Sequence, residues 1–241
     1  MIFTSACLAF LFPEMSSNGF TFKQFHIEQG SCAMKVGTDS VLLGAWSALP
    51  ETGSILDIGC GTGILSLMAA QRTACNITAV EIEADAAAQA AINVHASKWS
   101  NRIDVVCADI KSYSATESYD AIICNPPYFQ DSLAAPLASR AVARQGVNLS
   151  FNSLLQAAAR LLSQDGEMFV VLPFDALQPF LKTAAINGLH QHDMCCVSTA
   201  PGKQPKRVLL SLQRSCTPSL PTALVMGSPA QLTLTSPFYL R

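Results

Sequence analysis

The chain has 241 residues, half of them hydrophobic and only 13% charged, with a formal net charge of −2. That length accommodates one large α/β domain with a substantial core, and that apolar content excludes disorder over most of the chain. The balance of charge neither marks nor excludes a nucleic-acid partner, but its distribution is uneven. Residues 1–139 carry 6 basic and 13 acidic side chains, net −7, and residues 140–241 carry 9 and 4, net +5. Such an asymmetry marks either a half that faces a polyanion or ordinary surface variation.

Residues 1–13, MIFTSACLAFLFP, are apolar, but no Lys or Arg precedes them, no cleavage site follows, and the run is too short to cross a bilayer. The first fourteen residues read as a start-site artefact or a loose tail, with Met15 as a second start. We assign residues 1–19 to this tail and expect no membrane partner. The nine cysteines, among them Cys60, Cys75, Cys124, Cys195 and Cys196, form no CxxC pair and lie mostly in apolar runs. They read as buried thiols of a reducing, cytoplasmic protein. No cysteine stands at ligand spacing from any of the four histidines, so no metal is expected.

From residue 50 onward, short β-branched runs alternate with helical patterns. Strands are predicted at Ser54–Ile58, Ile77–Glu81, Ile103–Cys107, Asp120–Cys124, Glu167–Leu172, His192–Thr199 and Arg207–Leu212. Helices are predicted at Gly63–Arg72, Ala84–Ala96, Phe151–Leu162 and Ala176–Ile186. The alternation predicts a parallel sheet with helices on both faces. The last two strands are joined too tightly for a parallel crossover, so they form an antiparallel hairpin. The expected unit is a mostly parallel seven-stranded α/β domain over residues 20–214. Residues 215–241 read as an irregular tail or surface hairpin packing on it, and a monomer is expected.

Strand one runs into Asp57-Ile-Gly-Cys-Gly-Thr-Gly63, followed at once by a helix. Gly59, Gly61 and Gly63 permit a tight turn and close approach of a ligand, and the helix offers its first amides. The dinucleotide fingerprint would place glycine at position 64, which is Ile64. Strand two ends in Glu81, placed to accept both ribose hydroxyls of an adenosine ligand. Strand three ends in Asp109, placed to accept from an adenine amino group. Either acid alone could also cap a helix.

DIGCGTG, VEIE, CADI and NPPY stand in the order and spacing of the class I, Rossmann-like S-adenosylmethionine methyltransferases, and over roughly residues 35–215 the chain resembles that family. The resemblance implies S-adenosyl-L-methionine as cofactor, its methionine part over the glycine loop, its ribose on Glu81 and its adenine on Asp109. Strand four ends in Asn125-Pro126-Pro127-Tyr128. Two prolines remove two amide donors and leave carbonyls that only accept. A site of acceptors suits a planar NH2 group, held by Asn125 and the Pro126 carbonyl, with Tyr128 as a stacking face. DNA and RNA adenine-N6, guanine-N2 rRNA and glutamine-N5 protein methyltransferases share this motif.

The segment FTFKQFHIEQGSCAMKVGTDSVLLGAW, residues 20–46, resembles the bacterial tRNA adenine-N6 methyltransferases that act on A37 of valine tRNA, as do SRAVAR at 139–144 and PKRVLL at 205–210. That likeness implies the anticodon stem-loop of a tRNA as partner. Thr38 and Asp39 stand at a helix start, where capping explains them; the resemblance also puts them against the cofactor. Lys35, Arg140, Arg144, Lys203, Lys206 and Arg207 are candidate phosphate contacts, although each alone is an ordinary solvated charge.

Overall fold

The structure is a computed structural model, and it describes residues 19–30, 35–127 and 149–239. A small hairpin of β1 (Gly19–Thr21) and β2 (His26–Glu28) leads to α1 (Thr38–Trp46). The chain then alternates: β3 (Ser54–Ile58), α2 (Ile64–Arg72), β4 (Asn76–Glu81), α3 (Ala84–His95), β5 (Ile103–Cys107) and β6 (Tyr119–Cys124). Next come α4 (Phe151–Leu161), β7 (Leu162–Pro173), α5 (Leu177–Ile186), β8 (His190–Ser198), β9 (Arg207–Gln213), β10 (Thr222–Val225) and α6 (Pro229–Thr235).

The main sheet is ordered β10-β8-β9-β7-β6-β3-β4-β5. Strands β5, β4, β3, β6 and β7 are parallel, and β9 runs antiparallel to both β7 and β8. The expected five parallel strands closed by an antiparallel hairpin are therefore present. The central strands are apolar without alternation because both faces are covered; Ala121, Ile122, Ile123 and Cys124 of β6 are all buried. One face packs on α1, α2 and the N-terminal hairpin, the other on α4 and α5. Gly44 allows α1 to lie close to α2, since a Cβ there would sit 2.8 Å from the Met68 thioether.

Two features depart from expectation. The sheet has eight strands rather than seven, because β10 adds in parallel to β8 within the segment expected to be an irregular tail or surface hairpin. The same segment forms α6, whose start is specified locally. The Ser228 side chain accepts from the Gln231 amide at 3.2 Å, Pro229 begins the helix, and Gln231 Oε1 accepts from the Gly227 amide at 3.1 Å. The C-terminal stretch then closes on the N-terminal hairpin: Lys23 N donates to Phe238 O at 2.8 Å, and Tyr239 stacks on Phe22.

Phe238 is buried in the core on the α1–α2 face. Removing its ring leaves a cavity, so Phe238→Ala should lower stability by about 3–5 kcal/mol, read as a fall in the urea midpoint. A loss below about 1 kcal/mol would contradict this docking of the C-terminal segment.

Candidate active site

The site begins at the carboxyl end of β3. Gly59, Gly61 and Gly63 have φ of +69°, +54° and +81°, a region that costs other residues about 1–2 kcal/mol each. The turn is stitched to β4, because the Gly59 and Cys60 amides donate to Val80 O at 2.8 and 3.2 Å. A Cβ added at Gly59 or Gly61 would meet nothing within 4 Å. The loop thus faces open space.

Helix α2 starts at Gly63 without a side-chain cap of its own. Asp57 supplies one from the preceding strand: its Oδ2 accepts from Ser66 N at 3.0 Å and from Ser66 Oγ at 2.7 Å. Among the described residues, Asp57 Oδ1 has no hydrogen-bond partner. Burial pushes the Asp57 carboxyl up to about 7; the Ser66 bonds oppose that shift, and the Glu81 charge adds to it. With no exposed surface, Asp57 anchors the turn from below.

Glu81 stands beside the loop. Its Oε2 accepts from Gly61 N at 2.9 Å, and its Oε1 accepts from Ile82 N and Glu83 N at 2.9 and 3.1 Å. Glu81 and Asp109 wall a small open cleft of about 50 Å³ together with Val80, Ile82 and Leu149. Asp109 accepts from Lys111 N at 2.9 Å and pairs with Lys111 Nζ at 3.1 Å. Arg160 fixes this turn by donating to Ile110 O at 3.1 Å and Tyr113 O at 2.6 Å.

On the other side of Gly59, a cavity of about 310 Å³ is bounded by residues 35–40, by Gly59, Cys60, Gly61 and Thr62, and by Asn125. Ile58 pairs with Cys124 across β3 and β6, so Gly59 and Asn125 follow directly from the ends of neighbouring strands. Asn125 Nδ2 donates to Ser40 Oγ at 2.8 Å. Pro126 is buried and Pro127 half-buried.

Lys35, Thr38 and Asp39 also reach this cavity. The cap of α1 is Gly37, with no side-chain cap bond, so the capping reading of Thr38 and Asp39 does not hold. Asp39 Oδ2 instead accepts from Arg207 Nε at 2.7 Å. Two residues expected to meet different ligands therefore hold each other, bracing α1 against β9. Lys203 and Lys206 are exposed on the β8–β9 turn. That turn lies at the carboxyl edge, since Arg207 pairs with Pro173 at the end of β7. Tyr128, Arg140 and Arg144 lie outside the described residues. Sequence reasoning missed Ser40, Lys111 and Leu149. Among the described residues, a group with metal-ligand chemistry, Glu167, His192 and Asp193, lines neither cavity.

Asp57 gives a pH signature. Its folded pKa of about 7 lies above the ordinary 3.8, so the folded state holds a proton that the unfolded chain has released. Its stabilising contribution is present below about pH 4 and is lost as pH rises to about 7, with a slope of at most about 1.4 kcal/mol per pH unit. Asp57→Asn should flatten the stability profile over that interval. Denaturant titrations giving parallel wild-type and variant profiles would contradict the assignment.

The methyltransferase small domain family matches residues 32–185. A tRNA1(Val) (adenine(37)-N6)-methyltransferase of Bacteroides fragilis is 48% identical over 200 residues, covering 82% of this chain and 84% of the relative. One of Tolumonas auensis is 44% identical over 94% of this chain and 99% of its own length. Among solved structures, a predicted O-methyltransferase of Agrobacterium tumefaciens superposes with a TM-score of 0.64 at 18% identity, covering 83% of this chain and 96% of that one, a likeness of fold alone. With the glycine loop, the two acids and the Asn-Pro-Pro strand end assembled along one sheet edge, the chain belongs to the tRNA1(Val) (adenine(37)-N6)-methyltransferases, within the methyltransferase small domain family.

Proposed function

We propose that this chain transfers a methyl group from S-adenosyl-L-methionine to N6 of adenine-37 in the anticodon loop of a valine-type tRNA. The observation that carries the reading is the shared cavity: Asn125 and the Gly59–Thr62 loop wall the same space. The residues present suit the cofactor. The open face over Gly59 and Gly61 admits a ligand against the backbone, and the neighbouring cleft carries two carboxylates for an adenosine. Glu81 would hold the ribose, Asp109 the adenine, and residues 38–39 with the glycine loop the methionine part. When bound, S-adenosylmethionine supplies a methyl carbon on a cationic sulfur.

The protein's part is to position the acceptor. Asn125 Oδ1 and the Pro126 carbonyl accept the two N–H groups of the target amine, which aims its lone pair into the cavity. The nitrogen held by Asn125 and Pro126 would accept the methyl that the cofactor supplies in exchange for one proton, released to solvent without a strong base. Tyr128 offers the stacking face for the extruded base. Lys203 and Lys206, with Arg140 and Arg144, would meet the phosphates, and Lys35 reaches the cavity wall. A tRNA substrate supports a cytoplasmic setting. Among the described residues no helix is long and apolar enough to cross a membrane.

The test is to incubate the protein with labelled S-adenosylmethionine and tRNA from a strain lacking the modification. Label should appear as N6-methyladenosine at position 37 on nucleoside mass analysis. Its absence there, or its appearance on a protein glutamine amide, would overturn the proposal. Asn125→Ala should reduce transfer by at least about a hundredfold while cofactor affinity stays within about twofold. An active variant would show that the acceptor role is misplaced.

A further inference from the structure

We infer that Ser40 is a positioning residue for methyl transfer, acting through Asn125. The inference rests on the proposed function, in which the Asn125 amide oxygen receives the substrate amine. An asparagine amide has one acceptor edge and one donor edge of nearly the same shape, and turning it over exchanges them. Only one orientation offers an oxygen to an NH2 group; the other sets donor against donor. In this structure the donor edge has a defined place, because Nδ2 donates to Ser40 Oγ at 2.8 Å. That bond holds the Asn125 amide with Nδ2 turned toward α1.

Ser40 is itself well fixed. It is buried, in the first turn of α1, and it lines the same cavity as Asn125 and the glycine loop. Its helix is braced at both ends: Arg207 holds Asp39 next to it, and Arg72 Nη1 donates to Gly44 O at 2.5 Å further along. A side chain mounted on so constrained a helix is a stable reference for a neighbour at the end of β6. The cavity wall built from α1 is thereby linked to the orientation of the catalytic amide.

The test compares Ser40→Ala, Ser40→Thr and Ser40→Val. Threonine and valine share a shape and differ in the hydroxyl, so packing effects of the added methyl cancel between them. Single-turnover methyl transfer with cofactor-saturated protein should slow about tenfold or more in the Ala and Val variants and recover in the Thr variant. Cofactor affinity by calorimetry should stay within about twofold throughout. Equal rates for Thr and Val, an Ala variant as fast as wild type, or a loss in Ala explained by lost cofactor binding would each overturn the inference. A second readout needs no turnover: the Asn125 side-chain amide protons, identified by their loss in Asn125→Ala, should exchange slowly in wild type and fast in Ser40→Ala. Unchanged exchange would also overturn it. The wild-type rate on adenine reports on the proposed function, and the variant comparisons report on Ser40.

Discussion

The turn Gly59–Gly63 is the constraint on which the site depends. Three backbone positions in the left-handed region reverse the chain between β3 and α2 in so few residues that the loop stays against the sheet edge. The strain this would place on other residues is avoided by glycine, and the loop is secured from outside, by Val80 O and Glu81 from β4 and by Asp57 from beneath. A more distant brace comes from α3. Asn93 Nδ2 donates to Thr62 O at 2.9 Å and to Glu28 O at 2.8 Å, joining the loop to the N-terminal hairpin. The open face of the loop is therefore preorganised, and ligand binding there need not first order the chain.

Charge is partitioned along the same edge. Two acids, Glu81 and Asp109, come from the acidic first half of the chain and wall the cleft proposed for the cofactor's adenosine. The exposed lysines of the β8–β9 turn come from the basic second half and stand on the rim. On the proposed function the uneven sequence charge would have a spatial meaning: an acidic cleft for the cofactor beside a basic border suited to a polyanion. Arg207, at the start of β9, also pairs with Asp39 and so helps to hold α1.

The central strands were legible because burial on both faces leaves a continuous apolar signature, as in Ser54–Ile58 and Ala121–Cys124. The glycine loop and the acids at strand ends were legible because their spacing is local. What escaped the sequence was either short or distant. The four-residue β10 presents one buried side chain, Leu224, too little for a periodic signal. The start of α6 was readable in Ser228-Pro-Ala-Gln231, a capping sequence obscured by the prolines around it. The Asp39–Arg207 pair joins residues 168 positions apart, and the Ser40–Asn125 bond joins residues 85 apart. Neither contact follows from spacing. Thr38 and Asp39 looked like caps because side-chain chemistry favours that role, yet an extended Gly37 took the cap position.

The central claim is that donor and acceptor meet in one space between the ends of β3 and β6. A crystal structure with a bisubstrate analogue, in which adenine N6 is tethered to the methyl-donor position of an adenosyl-methionine analogue, examines this most directly. The account predicts the amino-acid portion over Gly61, its ribose on Glu81, and the tethered N6 within hydrogen-bond distance of Asn125 Oδ1 and the Pro126 carbonyl. A linked base seated away from Asn125, with the donor still over the glycine loop, would contradict it.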